Sequence, residues 1–196
     1  MNLRTFLLMT MCFILFAGAP VTAVEAPSEV GGFKLGDDIS EYLDFDENYL
    51  KEVVVNDWHG FRKGIIYYGT CAYPGQIVRI RMKYEDSSKT FYYELLKRFK
   101  QKYGKPNEWK GDAFGVLYVW KWQFFNSDNE RVTLILQHNL QNHSETIGNQ
   151  VKLSYSERLE EERLCFIEYC ETSTSAEEQE RIKQRMKPDW DHMIPR

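Results

Sequence analysis

The sequence lacks the patterns that identify most enzymes and metalloproteins. Its 196 residues include four histidines, and no two of them have the spacing of a helical zinc site. No cysteine pair has the close spacing of a metal-binding knuckle, and no glycine-rich phosphate loop or nucleophile elbow is present. We therefore expect neither a metal nor a cofactor, and we favour a non-enzymatic role.

An excess of positive charge is also missing. The formal net charge is −4, and the acidic excess lies after Tyr155, whereas acidic and basic residues balance over residues 27–155. A protein that binds nucleic acid needs a net positive surface to neutralise phosphates. The charge pattern therefore excludes nucleic acid as the expected partner.

No apolar run reaches the about 20 residues that are needed to span a bilayer. The longest run, residues 6–18, follows Arg4 and precedes several small residues, which is the layout of a secretory signal peptide. We predict that residues 1–26 form this signal, with cleavage after Ala23 or Ala26, and we keep an uncleaved N-terminal anchor as the alternative. The mature chain would then be periplasmic or secreted, with no membrane span.

The remaining chain is rich enough in apolar residues to form one well-filled domain, with 43% hydrophobic and 15% aromatic residues overall. Alternating and helical patterns follow one another in the order αβββαβββα. We predict an α+β fold over residues 27–171, a two-layer sandwich of about six antiparallel strands with helices on one face. Residues 172–196 are predicted to form a polar, helical or flexible tail.

Three segments have helical patterns. Asp37 or Asp38 can cap a short first helix. The clearest helix has Ser87 or Ser88 as its cap and Gly104 as its stop. The third helix, "SERLEEERLCFIEYC", is expected to turn its apolar residues inward and its acidic face outward. The inward residues are Leu159, Leu164 and Ile167.

Four aromatic residues occupy every second position of one predicted strand, and therefore share a face of the sheet: Tyr118, Trp120, Trp122 and Phe124. If they belong to the core, the returning strand must pair Phe124–Val132, Trp122–Leu134 and Trp120–Leu136. That register requires an odd loop, residues 127–129 or residues 126–130. The alternative is an exposed aromatic platform for a ligand or partner. We favour the core, because each buried ring contributes about 2–3 kcal/mol.

The opposite face of this sheet is predicted to be cationic. In the strand "QIVRIRMKYE", apolar and basic residues alternate, which is typical of an antiparallel sheet with one solvated side. Such a face can bind an acidic partner, although alternating polar residues also occur on faces that are merely solvated. The candidate binding residues are Arg79, Arg81, Lys83, Lys121 and Lys152.

Three cysteines remain after signal cleavage, so an exported chain is expected to contain one disulfide. Cys165 and Cys170 would be about 8 Å apart along a continuous helix, too far for a disulfide. Either the helix ends between them, or Cys71 bonds to one of them. We favour Cys71 bonded to the C-terminal segment.

One catalytic arrangement is open from the sequence. His59 follows Asp57 closely, and Cys71 comes one predicted strand later. A cysteine with a nearby histidine is the basic unit of a thiol-dependent hydrolase. We keep this hydrolase as an alternative to a binding function, although a turn histidine and a disulfide cysteine explain the same residues more simply.

Several motifs together resemble a known group of proteins. These are the signal peptide, "FKLGDDISEYL", "IVRIRMKYE", the helix end "KYGKP", and the strands "VTLIL" and "VKLSY". The layout resembles small exported bacterial proteins of uncharacterised families, and the fold of the β-lactamase-inhibitor-protein-like and small outer-membrane-assembly lipoprotein families. Cys12 lacks the small preceding residue of a lipoprotein signal, which departs from the lipoprotein members. The resemblance implies protein binding rather than catalysis, and we expect the partner to be another envelope or secreted protein. Inhibition of a secreted enzyme is a further alternative.

Overall fold

The computed structural model describes residues 24–42, 52–112, 114–139, 148–173 and 175–185. Within these ranges the chain forms nine strands, three α-helices and one turn of 3-10 helix. Most of the predicted signal peptide and the last part of the predicted tail lie outside the described residues.

The strands and helices follow the chain in this order. The strands are β1 (Glu29–Val30), β2 (Phe33–Lys34), β3 (Glu52–Trp58), β4 (Phe61–Tyr68), β5 (Ile77–Tyr84), β6 (Glu108–Gly111), β7 (Leu117–Phe125), β8 (Arg131–Asn139) and β9 (Gly148–Tyr155). The helices are α1 (Lys89–Tyr103), α2 (Ser156–Ser173) and α3 (Ala176–Arg185), and the 3-10 turn is Ile39–Glu41.

The main sheet is antiparallel and has seven strands in the order β3-β4-β5-β9-β8-β7-β6. The predicted α+β class is therefore confirmed, whereas the expected number of about six strands is too low. The additional strand is β6, which is absent from the predicted order αβββαβββα. β6 has four residues and pairs with β7 alone, so it is too short to show the alternation that identifies a strand.

The hairpin of β7 and β8 has the predicted register. Trp120 lies opposite Leu136, Trp122 opposite Leu134 and Phe124 opposite Val132. The connection is the five-residue loop 126–130, and Asn129 adopts φ 61° there. Trp122 is 1% exposed, so the aromatic stripe faces the core at its centre.

One face of the sheet is covered by α1 and by the N-terminal segment. Tyr92 and Leu96 of α1 pack in the core with Trp122, and Phe33 and Ile39 cover the neighbouring part of the same face. Ser88 caps α1 by accepting a hydrogen bond from the Phe91 N–H, and Gly104 ends it at φ 74°. Asp38 caps the 3-10 turn. Both predicted caps are confirmed.

The orientation predicted for the third helix is wrong for Leu164 and Ile167, whereas Leu159 is half-buried. Leu164 of α2 is 51% exposed and Ile167 is also exposed, whereas the carboxylate-bearing Glu162 is buried. Glu162 accepts hydrogen bonds from the backbone N–H groups of Thr70, Cys71 and Tyr73 in the loop between β4 and β5. The backbone donors of this loop replace water around the carboxylate, and therefore a charged residue can face inward.

A disulfide joins Cys71 of the same loop to Cys165 of α2, with 5.9 Å between the two Cα atoms. The favoured pairing is thus the one in the structure. Cys170 lies outside this disulfide and is exposed. A disulfide is compatible with an oxidising, exported location.

None of the described helices combines the length and the apolar composition of a membrane-spanning helix.

Candidate binding surface

The face of the sheet that α1 leaves uncovered has positive side chains on three adjacent strands. The register places Lys63 of β4, three residues of β5 and Lys152 of β9 side by side on this face. We call this group the cationic cluster: Lys63, Arg79, Arg81, Lys83 and Lys152. It contains four of the five predicted binding residues, and Lys63 is an addition that the sequence analysis missed.

Two pairs of like charges face each other directly in the cationic cluster. Lys63 lies opposite Lys83, and Arg81 lies opposite Lys152. Like charges in directly opposed positions destabilise an antiparallel pair. Within the described ranges, none of these four side chains forms an ion pair. The sheet therefore maintains a local positive charge that its own described carboxylates do not neutralise.

The pKa values of Lys83 and Lys152 are both lowered in this environment. Burial lowers the pKa of the Lys83 ammonium, and the positive charges of Arg62, Arg81 and Lys63 lower it further. Burial lowers the pKa of Lys152 as well, with added repulsion from Arg81 and Arg79. An anion between these side chains would replace repulsion by attraction and raise both pKa values.

The two arginines of the cluster share one aromatic neighbour. The guanidinium carbons of Arg79 and Arg81 lie 5.4 and 5.6 Å from the ring centroid of Tyr67, within the range of cation–π attraction. Arg81 Nε is buried, and the part of the chain that the structure describes provides no hydrogen-bond acceptor for it. The stem of Arg81 is thus positioned, and a donor of its guanidinium lacks an acceptor from the described residues.

Lys121, the fifth predicted residue, belongs to a different environment. It lies on the same face but is separated from Lys152 by Ile135 of β8. Its Nζ is 3.5 Å from an oxygen of Glu108, which also binds Lys110 at 2.9 Å. The charge of Lys121 is therefore compensated, and we place it at the margin of the surface. A shallow cavity of about 380 Å³ lies beside it, between β6 and β8.

The structure separates the residues of the hydrolase alternative. Cys71 is bonded to Cys165, so it offers no thiolate in this state. His59 lies in the turn before β4, and Cys71 lies after the end of β4. A strand of eight residues is about 26 Å long. The sequence places the two residues one strand apart along the chain, but that strand runs straight between them and holds them at opposite ends of the sheet.

Among the described residues, no group of three or more histidine, cysteine, aspartate or glutamate side chains could hold a metal ion.

A second concave site was missed by the sequence analysis. A groove of about 630 Å³ lies between the end of α1 and the β6 edge of the sheet, and its lining includes Lys100, Trp109 and Trp120. The sequence analysis favoured the core for Trp120 and gave no role to Trp109. The one available signal was that Trp109 is an aromatic residue in a short polar segment, and the pairing of Trp109 with Trp120 becomes evident only from the register of β6 and β7.

Comparisons with protein-family models, with curated proteins and with solved structures found no match to this chain. The resemblance to small exported bacterial proteins therefore stays a prediction, and the function is argued from the geometry of the chain itself.

Proposed function

We propose that the protein is an exported, non-enzymatic binding protein whose cationic cluster receives an acidic segment of another periplasmic or secreted protein. The observation that supports this proposal is the two pairs of directly opposed like charges, Lys63 with Lys83 and Arg81 with Lys152. A sheet face that needs only solubility can alternate the signs of its charges across strands, which stabilises the sheet.

The placement of the cluster also supports binding. It occupies central strands of the sheet, on the face that α1 and the N-terminal segment leave open. Charge clusters on an open surface attract oppositely charged partners and accelerate their association. A row of aspartate or glutamate side chains would neutralise the cluster and accept hydrogen bonds from its ammonium and guanidinium groups.

The decisive variant is the double charge reversal Lys83→Glu with Lys152→Glu. It converts both like-charge pairs into opposite-charge pairs, so the fold gains about 1 kcal/mol and the melting temperature rises by about 2–4 °C. The same variant is expected to lose capture of its partner from the native envelope or secreted fraction. A gain in stability together with a loss of binding is the result expected of a functional surface.

The matched control is Lys97→Glu with Lys183→Glu, which changes the net charge equally on exposed helix positions. It is expected to retain capture. Equal capture by wild type and the sheet variant would reject the cationic cluster as the binding surface. Equal loss in both double variants would assign binding to net charge alone and would also reject it.

A further inference from the structure

We propose a second interaction site at the β6 edge, which binds an extended acidic peptide segment of a partner protein by strand addition. The site combines a sheet edge with the groove lined by Lys100, Trp109 and Trp120. It is independent of the cationic cluster, which lies on the other face of the sheet.

The edge provides the backbone groups that strand addition needs. The Asp112 N–H donates to the Leu117 carbonyl, and Gly111 lies opposite Tyr118. In an antiparallel ladder the inward and outward backbone groups alternate, so the N–H and C=O groups of Trp109 and Gly111 point away from β7. No strand among the described residues pairs with this side of β6. An extended peptide can therefore add hydrogen bonds at Trp109 and Gly111.

The groove provides an apolar contact for the peptide. Trp109 is 53% exposed, and its ring lies 5.9 Å from that of Trp120 with an interplanar angle of 47°. A Cβ atom on Gly111 would lie 2.6 Å from the Trp109 ring, so the indole rests against the bare backbone of this glycine. The exposed indole is thereby held in position beside the edge. A peptide residue opposite Trp109 would project on the same face and pack against it.

The charges in the groove select an acidic peptide. Lys100 Nζ lies 4.2 Å from the Trp120 ring centroid, and Lys105 lines the same groove. Neither lysine forms an ion pair within the described part of the chain. The one acidic residue of the lining, Glu108, is already bound to Lys110 and Lys121. The uncompensated charge of the groove is thus positive, and carboxylates beside an apolar residue complement it.

The experiment selects random dodecapeptides displayed on phage against the folded wild-type protein. Enriched peptides are expected to combine acidic residues with an apolar residue and to have no proline at the pairing positions. Trp109→Ala should weaken the binding of a synthetic enriched peptide by about tenfold or more, since it removes the central aromatic contact. Lys100→Glu with Lys105→Glu should weaken it similarly, while Lys97→Glu with Lys183→Glu should change it less than about twofold.

Strand addition has its own readout. Two peptides are compared, each methylated on one of the two alternating sets of backbone amides. One peptide should lose binding and the other should keep it, because only every second N–H faces β6. Gly111→Ala, which displaces the indole without removing it, should also weaken binding. Equal binding by both methylated peptides would overturn strand addition.

Other outcomes overturn the proposal directly. These are failure to enrich any peptide over the Trp109→Ala protein, enrichment of basic peptides, and binding that survives Trp109→Ala. A dimer in sedimentation that Trp109→Ala dissociates would assign the edge to a second copy of the chain. Peptide binding that requires deletion of residues 186–196 would assign it to that segment. Lys83→Glu with Lys152→Glu must leave peptide binding intact, so this site and the proposed function fail independently.

Discussion

The helices α1 and α2 are held against the sheet by opposite means. α1 buries apolar side chains, including Tyr92 and Leu96. α2 instead contributes a buried carboxylate, an ion pair and a disulfide, and leaves Leu164 exposed. The polar contacts of α2 are specific: Arg158 binds both carboxylate oxygens of Glu130, at 2.6 and 2.9 Å.

The comparison shows that an apolar face does not determine how a helix is oriented when stronger specific contacts exist. For α1 the buried apolar stripe and the hydrogen bonds at its two ends favour the same orientation, so the pattern of the sequence is sufficient. For α2 the disulfide and the backbone donors around Glu162 fix one side of the helix inward.

The largest effect is expected from removal of the disulfide. Cys71→Ser with Cys165→Ser opens a loop with a sequence separation of 94, which should lower the free energy of unfolding by about 4 kcal/mol. Urea unfolding followed by circular dichroism measures this loss. The Cys170→Ser protein serves as control for the loss of a thiol. A double variant as stable as wild type would show that the polar contacts alone hold α2.

A smaller loss of stability is expected when an apolar side chain is truncated, and its size should differ between the two helices. Leu96→Ala in α1 leaves a cavity in the core and should cost about 3 kcal/mol. Leu164→Ala in α2 removes an exposed side chain and should cost less than about 0.5 kcal/mol. Thermal unfolding of both proteins measures the difference. Similar losses would mean that the apolar side of α2 is covered in the complete chain.

The next smaller effect is expected from substitution of Glu162, the buried carboxylate of α2. Glu162→Gln keeps the shape of the side chain but places an amide group among three backbone donors. We expect the free energy of unfolding to fall by about 2 kcal/mol. The three backbone N–H groups lose a charged acceptor, and one of them then faces the NH₂ group of the glutamine, which is also a donor. Glu160→Gln is the control, since Glu160 is exposed and binds Arg163 on the same helix. Equal effects of the two substitutions would contradict the role assigned to Glu162.

Much of the fold follows from local patterns in the sequence. The hairpin register of β7 and β8 was predictable because one-residue slips move every aromatic side chain to the other face. α1 was predictable from its period, its serine cap and its glycine stop. The orientation of α2 was not, because the donors that bind Glu162 come from a loop some 90 residues earlier in the chain. Such long-range contacts leave no periodic signal.

The candidate surface was predictable within one strand but not across strands. Alternation placed Arg79, Arg81 and Lys83 on one face, and the structure agrees. The order of strands was needed to show that Lys63 and Lys152 join them and that Glu108 neutralises Lys121. Pairing between strands thus decides which charges are compensated, and no single strand contains that information.

The smallest expected effect is a difference in pH dependence between the two attachments. His138 is fully buried, stacks on Tyr92 of α1 at 4.8 Å, and contacts the Asn149 side-chain oxygen through Nδ1 at 2.7 Å. Asn149 donates its amide hydrogens to the carbonyls of Asp86 and Ser88, so its oxygen accepts from His138 and Nδ1 bears the proton. Nε2 then faces the core with no hydrogen-bond partner in the described chain.

Protonation of His138 would place a second N–H at this buried position. Burial therefore lowers the pKa of His138 below its ordinary value of 6.5, and the charge of Lys89 lowers it further, against the hydrogen bond to Asn149. Because the unfolded chain binds the proton more readily, the stability linked to His138 is complete above pH 6.5 and declines as the pH falls through the lower folded pKa. At the attachment of α2, the hydrogen bond from Arg158 lowers the pKa of Glu130, which precedes β8, below 4.5, so this contact weakens only under more acidic conditions.

Hydrogen exchange of backbone amides between pH 7 and 4 distinguishes the two attachments. Opening free energies, corrected for intrinsic exchange, are expected to fall first in α1 and the adjoining ends of β8 and β9, while the first two turns of α2 keep their protection. His138→Gln, which cannot take up the proton, should remove the early loss in α1 and leave the later loss in α2 unchanged. Simultaneous loss in both helices would show that they unfold as one unit, and that the difference between an apolar and a polar attachment has no consequence for local stability.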